Sequence, residues 1–143
     1  MTAPPPLREG WLRRGRTLAT DSWSAPTTAV GWLAILLAGR DVSRTRRDAV
    51  VLVTGPGVAR LFDRLNPRLG IGAMTLGGVI LARDEATAAQ HWRHELVHVA
   101  QARRWGPLFL PAYGLASLVA QTTGHDAYLA NFFELEARRD GAS

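Results

Sequence analysis

The chain has 143 residues, of which 47% are apolar and 20% charged, so it is long enough to fold around one packed core. It contains no cysteine, which excludes a disulfide framework, a thiolate nucleophile, a Cys-ligated zinc site and an iron–sulfur cluster. Any bound metal must therefore use His, Asp or Glu, and the chain has four His and 12 acidic residues.

All 17 basic residues are arginine, and the formal net charge is +5. Arginine without lysine, in a chain rich in Ala and Gly, is typical of a GC-rich genome, so we expect no specific nucleic-acid partner. Arginine also binds phosphate well, which leaves open a peripheral contact with a membrane. No apolar run reaches the roughly 18–20 residues of a transmembrane helix, and no signal-peptide cleavage site is evident. We expect a cytoplasmic protein.

The first 65 residues predict a basic arm, an apolar helix, a buried strand and a short second helix. Residues 1–28 carry a proline run and clustered arginines, and predict a basic N-terminal arm with one short helix. Residues 29–143 are expected to form a single domain. Its first elements are an apolar helix from Ala29 to Gly39, a charged connector from Arg40 to Asp48, a strand from Ala49 to Thr54 and a short helix from Val58 to Leu65.

The rest of the chain predicts a hairpin followed by three helices. The hairpin spans Gly72 to Leu81 around the Gly77-Gly78 turn. Asp84 is expected to cap a helix that ends before Gly106. The helices run from Glu85 to Arg104, from about Leu108 to Gln121 and from about Ala127 to Arg139. The pattern predicts an α+β fold in which a short sheet packs on the first of these helices and on the C-terminal helices.

The motif His94-Glu95-Leu96-Val97-His98 lies within the first of these three helices. Two His four residues apart are about 40° apart around a helix and one turn apart along it, so both imidazoles reach one metal ion. Glu95 projects beside the first ligand and is placed to act as a base on a water molecule. This is the arrangement that a zinc hydrolase needs, and it predicts a Zn²⁺ site.

A zinc site of this kind needs a third protein ligand. The candidates are His91, His125, Asp126, Glu134 and Glu136. His91 lies about 10.5 Å along the helix axis from the second motif histidine, which is too far for a shared metal. Glu134 and Glu136 are about 200° apart on the last helix, so only one can face inward. Phe133 and Ala137 share the face of Glu134, which favours Glu134 with Glu136 as the alternative.

The stretch from Gly72 to Gln101 resembles the metallopeptidase domain found in gene clusters of extracellular contractile injection systems. In that family an A-x-T-x-G-x-x-I strand precedes a helix with the pattern H-E-L-x-H-x-x-Q. The matching positions are Ala73, Thr75, Gly77, Ile80, His94, Glu95, Leu96, His98 and Gln101. The resemblance covers roughly residues 70–138 and implies a zincin-like fold.

A second resemblance concerns the last helix. Residues 133–137, FELEA, are similar to the F-E-x-x-A-D motif of gluzincin peptidases, in which the glutamate is the third zinc ligand. The resemblance implies that role for Glu134. Arg138 stands where the motif has an aspartate that orients a ligand histidine. Asp126 and Asp140 are the candidates to replace it.

The resemblance also implies where a substrate binds. In zincins the hairpin strand before the active helix is an edge strand, and it receives the substrate peptide in extended form. The residues that this role would use are Gly77, Gly78, Val79, Ile80 and Leu81. The alternative interpretation is an ordinary core hairpin, and the two do not exclude each other.

Four further polar residues are candidates for supporting roles. His125 or Tyr128 could donate a hydrogen bond to the oxyanion of a tetrahedral intermediate, or could serve only as a capping or packing residue. Gln101, one turn past His98, and Asp126 could each orient a ligand from behind. A solvated helix position is the alternative for Gln101.

We therefore expect a zinc metallopeptidase that binds one Zn²⁺ per chain at His94, His98 and Glu134, and hydrolyses a peptide or protein substrate. The first alternative is a non-catalytic zinc-binding interaction or scaffold module, in which His125 would close the site as a fourth ligand. The second alternative is an arginine-rich membrane-surface protein in which the His-Glu motif is incidental.

Overall fold

A computed structural model describes residues 18–47 and 49–142 of the chain. These residues form five α-helices, one short 3₁₀-helix and four β-strands in an α+β arrangement, as predicted. The helices are α1 (Leu18–Ala38), α2 (Pro56–Leu65), α3 (Glu85–Trp105), α4 (Phe109–Thr122) and α5 (Phe132–Gly141), with the 3₁₀-helix at Gly106–Leu108. The strands are β1 (Ser43–Arg47), β2 (Val50–Thr54), β3 (Ala73–Leu76) and β4 (Val79–Ala82).

The four strands form one mixed sheet in the order β1-β2-β4-β3. The strand β1 is antiparallel to β2, β2 is parallel to β4, and β3 is antiparallel to β4. The predicted hairpin is confirmed: Leu76 pairs with Val79 across the Gly77-Gly78 turn. Gly77 has a φ of 64°, which is a conformation that a two-residue hairpin turn requires and that glycine adopts without strain.

The central strands β2 and β4 are buried on both faces: successive side chains of a strand point to opposite sides, and each side packs on helices. Val53, Val79 and Leu81 pack on apolar residues of α1 and α2. Leu52 and Ile80 point the other way and pack on α3. The sheet therefore lies between two helical layers, and α3 is held against its second face.

The helix α1 begins at Leu18, although residues 1–28 were expected to form a loose arm. Residues 18–28 belong to a regular helix that continues past Pro26. A proline inside a helix costs about 3 kcal/mol because it removes a hydrogen bond and crowds the preceding turn. The sequence pattern therefore predicted the wrong start for this helix. Tertiary contacts must offset the cost of placing Pro26 inside it. Residues 1–17 of the predicted arm lie outside the described residues.

Two threonines on α1 supply such contacts. The Thr27 Oγ1 hydroxyl donates a hydrogen bond to the carbonyl of Gly106, with a separation of 2.8 Å. The backbone N–H of Gly78 donates to Thr28 Oγ1 at 3.0 Å. Because these bonds join α1 to the C-terminal end of α3 and to the β3–β4 turn, they fix the first helix against two distant parts of the chain.

The segment from Arg40 to Asp48 was expected to be a charged connector, but most of it forms the edge strand β1. All five residues of β1 are exposed, so the strand lacks the apolar alternation by which sequence patterns reveal strands. Its pairing with β2 supplies the missing stabilisation. Arginine side chains on an edge strand also oppose unwanted pairing with another chain.

The C-terminal helices follow the prediction with one shifted boundary. The helix α5 begins at Phe132 instead of Ala127, because the Asn131 side chain accepts a hydrogen bond from the Phe133 N–H and caps the helix. The predicted cap of α3 is confirmed: the Asp84 carboxylate accepts from the backbone N–H of Thr87. No helix within the described ranges is both long enough and apolar enough to cross a bilayer.

The hairpin turn provides a test of the fold. We expect Gly77→Ala to lower the free energy of unfolding by about 2–4 kcal/mol, because the new Cβ would meet the backbone and hydroxyl of Thr28 at a positive φ. Gly70→Ala is the matched control, since Gly70 has a φ of 57° but nothing lies within 4 Å of its added Cβ. Urea unfolding measures both, and equal losses would contradict the close α1 contact.

Candidate metal centre

The helix α3 presents two different faces to its neighbours. Leu96 and Val99 are buried against the sheet, whereas His94 and His98 lie on the opposite side, toward α5. This division follows from the helical period, because residues four apart share a face and Leu96 is about 200° from His94. The apolar face thus anchors the helix, and both imidazoles are left at the boundary between α3 and α5.

Glu134 on α5 faces both imidazoles. Its Oε2 atom lies 3.1 Å from His94 Nε2, and its Oε1 atom lies 3.2 Å from His98 Nε2. The two Nε2 atoms are 3.1 Å apart. One ligand atom from each of the three residues falls within 4.8 Å of the others. The structure therefore brings together the pair of histidines and the glutamate that the sequence favoured.

Glu136 does not join this group. Its carboxylate accepts a hydrogen bond from Gln101 Nε2 at 2.7 Å and contacts Arg104 at 3.4 Å. Glu134 has 2% of its surface exposed, and Phe133 and Ala137 beside it are also buried. The burial agrees with the face argument that separated Glu134 from Glu136.

Gln101 connects the histidine helix to the glutamate helix. Its Oε1 oxygen lies 2.7 Å from His98 Nδ1, and its Nε2 donates to the Phe133 carbonyl at 3.0 Å and to Glu136. An amide oxygen can only accept, so His98 Nδ1 carries the proton. The lone pair on His98 Nε2 is then directed at the other two ligand atoms, which is the orientation that metal binding requires.

Glu95 is buried and bound to the sheet. Thr75 Oγ1 on β3 lies 2.7 Å from Glu95 Oε2 and donates a hydrogen bond to it. The charge of Glu95 also contributes to raising the pKa of both His98 and Tyr113, so the carboxylate acts electrostatically on the histidine–glutamate group. One oxygen is therefore held by the sheet, and the other remains to accept a proton.

Aromatic side chains from α4 and α5 cover one side of the group. Tyr113 OH donates a hydrogen bond to Glu134 Oε1 at 2.6 Å. Its ring lies 6.2 Å from the His98 ring and is stacked on Phe133 at 6.0 Å. Phe109 lies 6.5 Å from the His98 ring. This apolar wall excludes water from one side and strengthens the electrostatic interactions inside it.

The charged groups shift one another's pKa values. Burial alone would raise the pKa of Glu134, but contacts with His94 and His98 hold it well below its usual range. Burial would lower the pKa of His98, yet Glu134 outweighs it and raises that pKa. Burial first, and then the bond to Glu134, raises the pKa of Tyr113. The Tyr113 phenol therefore stays neutral and remains a hydrogen-bond donor.

The three residues fit a metal ion on two observations. Glu134 Oε2 is buried, and apart from its 3.1 Å contact with His94 Nε2 it has no hydrogen-bond partner among the described residues. Ligand atoms about 2.0–2.1 Å from a tetrahedral zinc ion stand about 3.3 Å apart. The separations of 3.1 and 3.2 Å are close to that value. The His94 side chain is 17% exposed, so the group has one side open to solvent.

Three other candidates lie elsewhere. His125 is exposed in the turn after α4, where its Nδ1 lies 3.2 Å from Thr123 Oγ1. Asp126 accepts from the backbone N–H groups of Tyr128 and Leu129, and these bonds lower its pKa. Its carboxylate thus caps a turn and orients no ligand. Asp140, the other candidate for the missing aspartate, pairs with Arg139.

Tyr128 lies close enough to Glu134 for the two groups to interact electrostatically. It is half-exposed, and burial together with the negative charge of Glu134 raises its pKa to about 12. The Arg138 guanidinium lies 5.9 Å from its ring centre and also donates to the Leu129 carbonyl. Arg138 therefore supports the Tyr128 turn, at the position where the similar motif carries an aspartate.

The prediction that the second strand of the hairpin lies at a sheet edge is wrong. The residues Val79, Ile80 and Leu81 belong to β4, which pairs with β2 on one side and β3 on the other. Their backbone groups are used inside the sheet. The hairpin strand at a sheet edge is β3, Ala73–Leu76, which the sequence placed in the same hairpin but not at the edge. Which of two hairpin strands lies outside depends on the distant β2, and no local pattern reveals it.

Sequence reasoning missed two residues that contact the group. Tyr113 is the only tyrosine in α4, a mainly apolar helix, and a tyrosine among apolar residues is a signal that its hydroxyl has a buried partner. Thr75 matches the strand motif of the similar family, but the match assigned no role to its side chain. Its hydroxyl becomes significant only when β3 and α3 are placed side by side.

The opposed shifts of His98 and Glu134 predict the pH dependence of stability in the metal-free protein. The raised His98 pKa contributes stability below its ordinary value of 6.5, and this is lost as pH rises through the raised value. The lowered Glu134 pKa contributes stability above its ordinary value of 4.5. This stability is lost as the pH falls through the lowered pKa. The pair therefore contributes most between pH 4.5 and 6.5.

Urea unfolding in the presence of a chelator, in that range and in mildly alkaline buffer, measures this contribution. We expect Glu134→Gln, which keeps the shape but removes the charge, to flatten the difference between the two conditions. An identical pH dependence in the wild type and in the variant would show that the two groups do not interact in the folded protein.

Comparison of the chain with protein-family models, curated proteins and solved structures gives no match in any of the three. The arrangement of His94, His98, Glu95 and Glu134 is therefore the feature of this chain that points to a function.

Proposed function

We propose that this protein is a zinc-dependent metallopeptidase. The observation that carries the proposal is the convergence of His94 Nε2, His98 Nε2 and a Glu134 oxygen within 4.8 Å, with Glu95 next to the first ligand. Two imidazoles and one carboxylate are the ligand set of a catalytic zinc site that keeps one coordination position open. The exposed side at His94 supplies a route for the ion and for substrate.

A zinc ion held by these residues would supply a positive charge that activates water and polarises a scissile carbonyl. The residues of the chain prepare the site for it. Gln101 sets the tautomer of His98, and Tyr113 holds Glu134 through its hydroxyl. The aromatic wall of Phe109 and Phe133 keeps bulk water from one side. His98 and Glu134 are thereby oriented by residues that are not themselves proposed ligands.

Glu95 is the proposed general base. Thr75 occupies its Oε2, so Oε1 is the atom that accepts a proton from the attacking water. The same oxygen then returns the proton to the leaving nitrogen, which completes hydrolysis of a peptide bond. Tyr128, whose phenol is neutral and half-exposed near Glu134, is the proposed donor to the oxyanion.

The strand β3 is the proposed site for the substrate backbone. Within the described residues it has a strand neighbour on one side only. Thr75 of the same strand binds Glu95, so a peptide added along β3 would run beside the base. Extended peptides pair with sheet edges through main-chain hydrogen bonds. We also propose a cytoplasmic location, supported by the packing of Ile35 and Ala38, two residues of the apolar run 29–38, into the core.

The first experiment measures metal content. Protein purified without a polyhistidine tag is expected to bind about one zinc ion per chain, whereas His94→Ala, His98→Ala and Glu134→Ala are each expected to bind close to none. Glu136→Ala is the matched control, because this neighbouring carboxylate binds Gln101 and Arg104 instead. Elemental mass spectrometry after dialysis gives the ratio. No zinc in the wild type after loading would contradict the site.

The second experiment tests the base. Glu95→Gln is expected to retain zinc and to lower kcat on a cleaved peptide by about 10²–10⁴-fold, because the amide does not accept the proton. Glu85→Gln, at an exposed carboxylate in the first turn of the same helix, is the control and is expected to leave kcat unchanged. A peptide library screened by mass spectrometry supplies the substrate. Full activity in Glu95→Gln would contradict the proposed role of Glu95 as the general base.

The alternative function is a zinc-binding interaction or scaffold module without turnover. A structural site is usually closed by four protein ligands. His125 was the residue that could close it, and it lies at an exposed turn beside Thr123. Spectra of the cobalt-substituted protein separate the two functions, because an open site changes its spectrum as a bound water titrates and a closed site does not.

A further inference from the structure

The helix α1 exposes one continuous apolar face. Six residues on it are apolar and solvent-exposed, and Leu36 and Leu37 have 74% and 61% of their surface exposed. At about 100° per residue the six positions span an arc of about 160°. We call this surface the α1 face; its residues are Ala29, Val30, Trp32, Leu33, Leu36 and Leu37.

The opposite side of the same helix is fully engaged. Its buried residues form a stripe centred about 180° from the α1 face. They are Ser24, Thr27, Gly31, Ile35 and Ala38. Ile35 and Ala38 belong to the core that packs on the sheet. The α1 face therefore points directly away from the protein, and no rotation of the helix can bury it without losing the core contacts.

In the sequence, the net positive charge of the chain falls in the two segments that precede and follow this helix. Residues 1–17 contain four arginines and one glutamate, which gives +3, and residues 39–48 contain four arginines and two aspartates, which gives +2. These two segments account for the whole formal charge of +5, because the remaining residues sum to zero. Arg44, Arg46 and Arg47 lie on the exposed strand β1.

We propose that the α1 face binds the surface of a membrane that contains anionic lipids. An exposed apolar stripe with Trp32 and several leucines inserts at the boundary between headgroups and acyl chains, and flanking arginines bind the lipid phosphates. The buried stripe keeps the helix parallel to the protein surface, as binding in the plane of an interface requires. The open side of the metal centre plays no part in this contact.

Charge also argues against a second copy of the chain as the occupant. Each copy of the chain carries a formal net charge of +5, so pairing two α1 faces would bring two positively charged molecules together, and like charges oppose that association. An anionic bilayer complements the same charges. The apolar stripe and the arginines thus favour the same partner by independent interactions.

The test is flotation of the full chain with lipid vesicles. We expect binding to vesicles of equal parts phosphatidylcholine and phosphatidylglycerol to exceed binding to pure phosphatidylcholine by about tenfold or more, and to weaken as salt is raised. The double variant Leu36→Asp, Leu37→Asp is expected to lose about tenfold or more of that binding. Leu65→Asp, Leu69→Asp is the matched control, since those leucines are 61% and 66% exposed and do not belong to α1.

Circular dichroism verifies that both double variants fold, which is expected because all four leucines are exposed. Binding must also persist in Glu95→Gln and in chelator-treated protein, so the result is independent of the proposed peptidase. Absence of flotation, or equal loss in both double variants, would overturn the proposal. A dimer in sedimentation that Leu36→Asp, Leu37→Asp dissociates, without vesicle binding by the wild type, would assign the α1 face to a second copy instead.

Discussion

The buried carboxylate of Glu134 is the constraint on which the C-terminal half of this structure depends. A charge with 2% of its residue surface exposed is costly unless other groups compensate it. His94 and His98 on α3 and Tyr113 on α4 all contact this one carboxylate on α5. The meeting point of three helices is thus polar in the middle and aromatic around it, and the aromatic packing of Phe133 provides the apolar burial that offsets the cost.

Features with a local cause could be predicted from the sequence. Asp84 caps α3 through a residue three positions ahead, and Gly77 makes a turn of two residues, so each signal lies within a few positions. The spacing of His94 and His98 places both on one face whatever surrounds the helix. The position of Glu134 followed from the apolar residues on its own helix face, because helical periodicity is also local.

Features set by distant contacts could not be predicted in this way. Pro26 signals a helix boundary, yet threonines of α1 bind the C-terminal end of α3 and the β3–β4 turn and keep the helix intact. The exposed strand β1 has no apolar pattern, and β2 decides that β3 and not β4 lies at the sheet edge. Thr75 and Tyr113 gained their partners from the packing of separate elements, so neither could be assigned beforehand.

The three hydrogen bonds of Gln101 would have a consequence for metal exchange at the proposed site. Because its amide nitrogen binds Phe133 and Glu136 on α5 while its oxygen binds His98, the two ligand-bearing helices are joined without any ion. The proposed ligands would then be largely preorganised, and little conformational entropy would be lost if a metal entered. A zinc finger unfolds when its ion leaves. Here the joined helices would let an ion enter and leave a folded protein, so occupancy would follow the free metal concentration instead of the folding equilibrium.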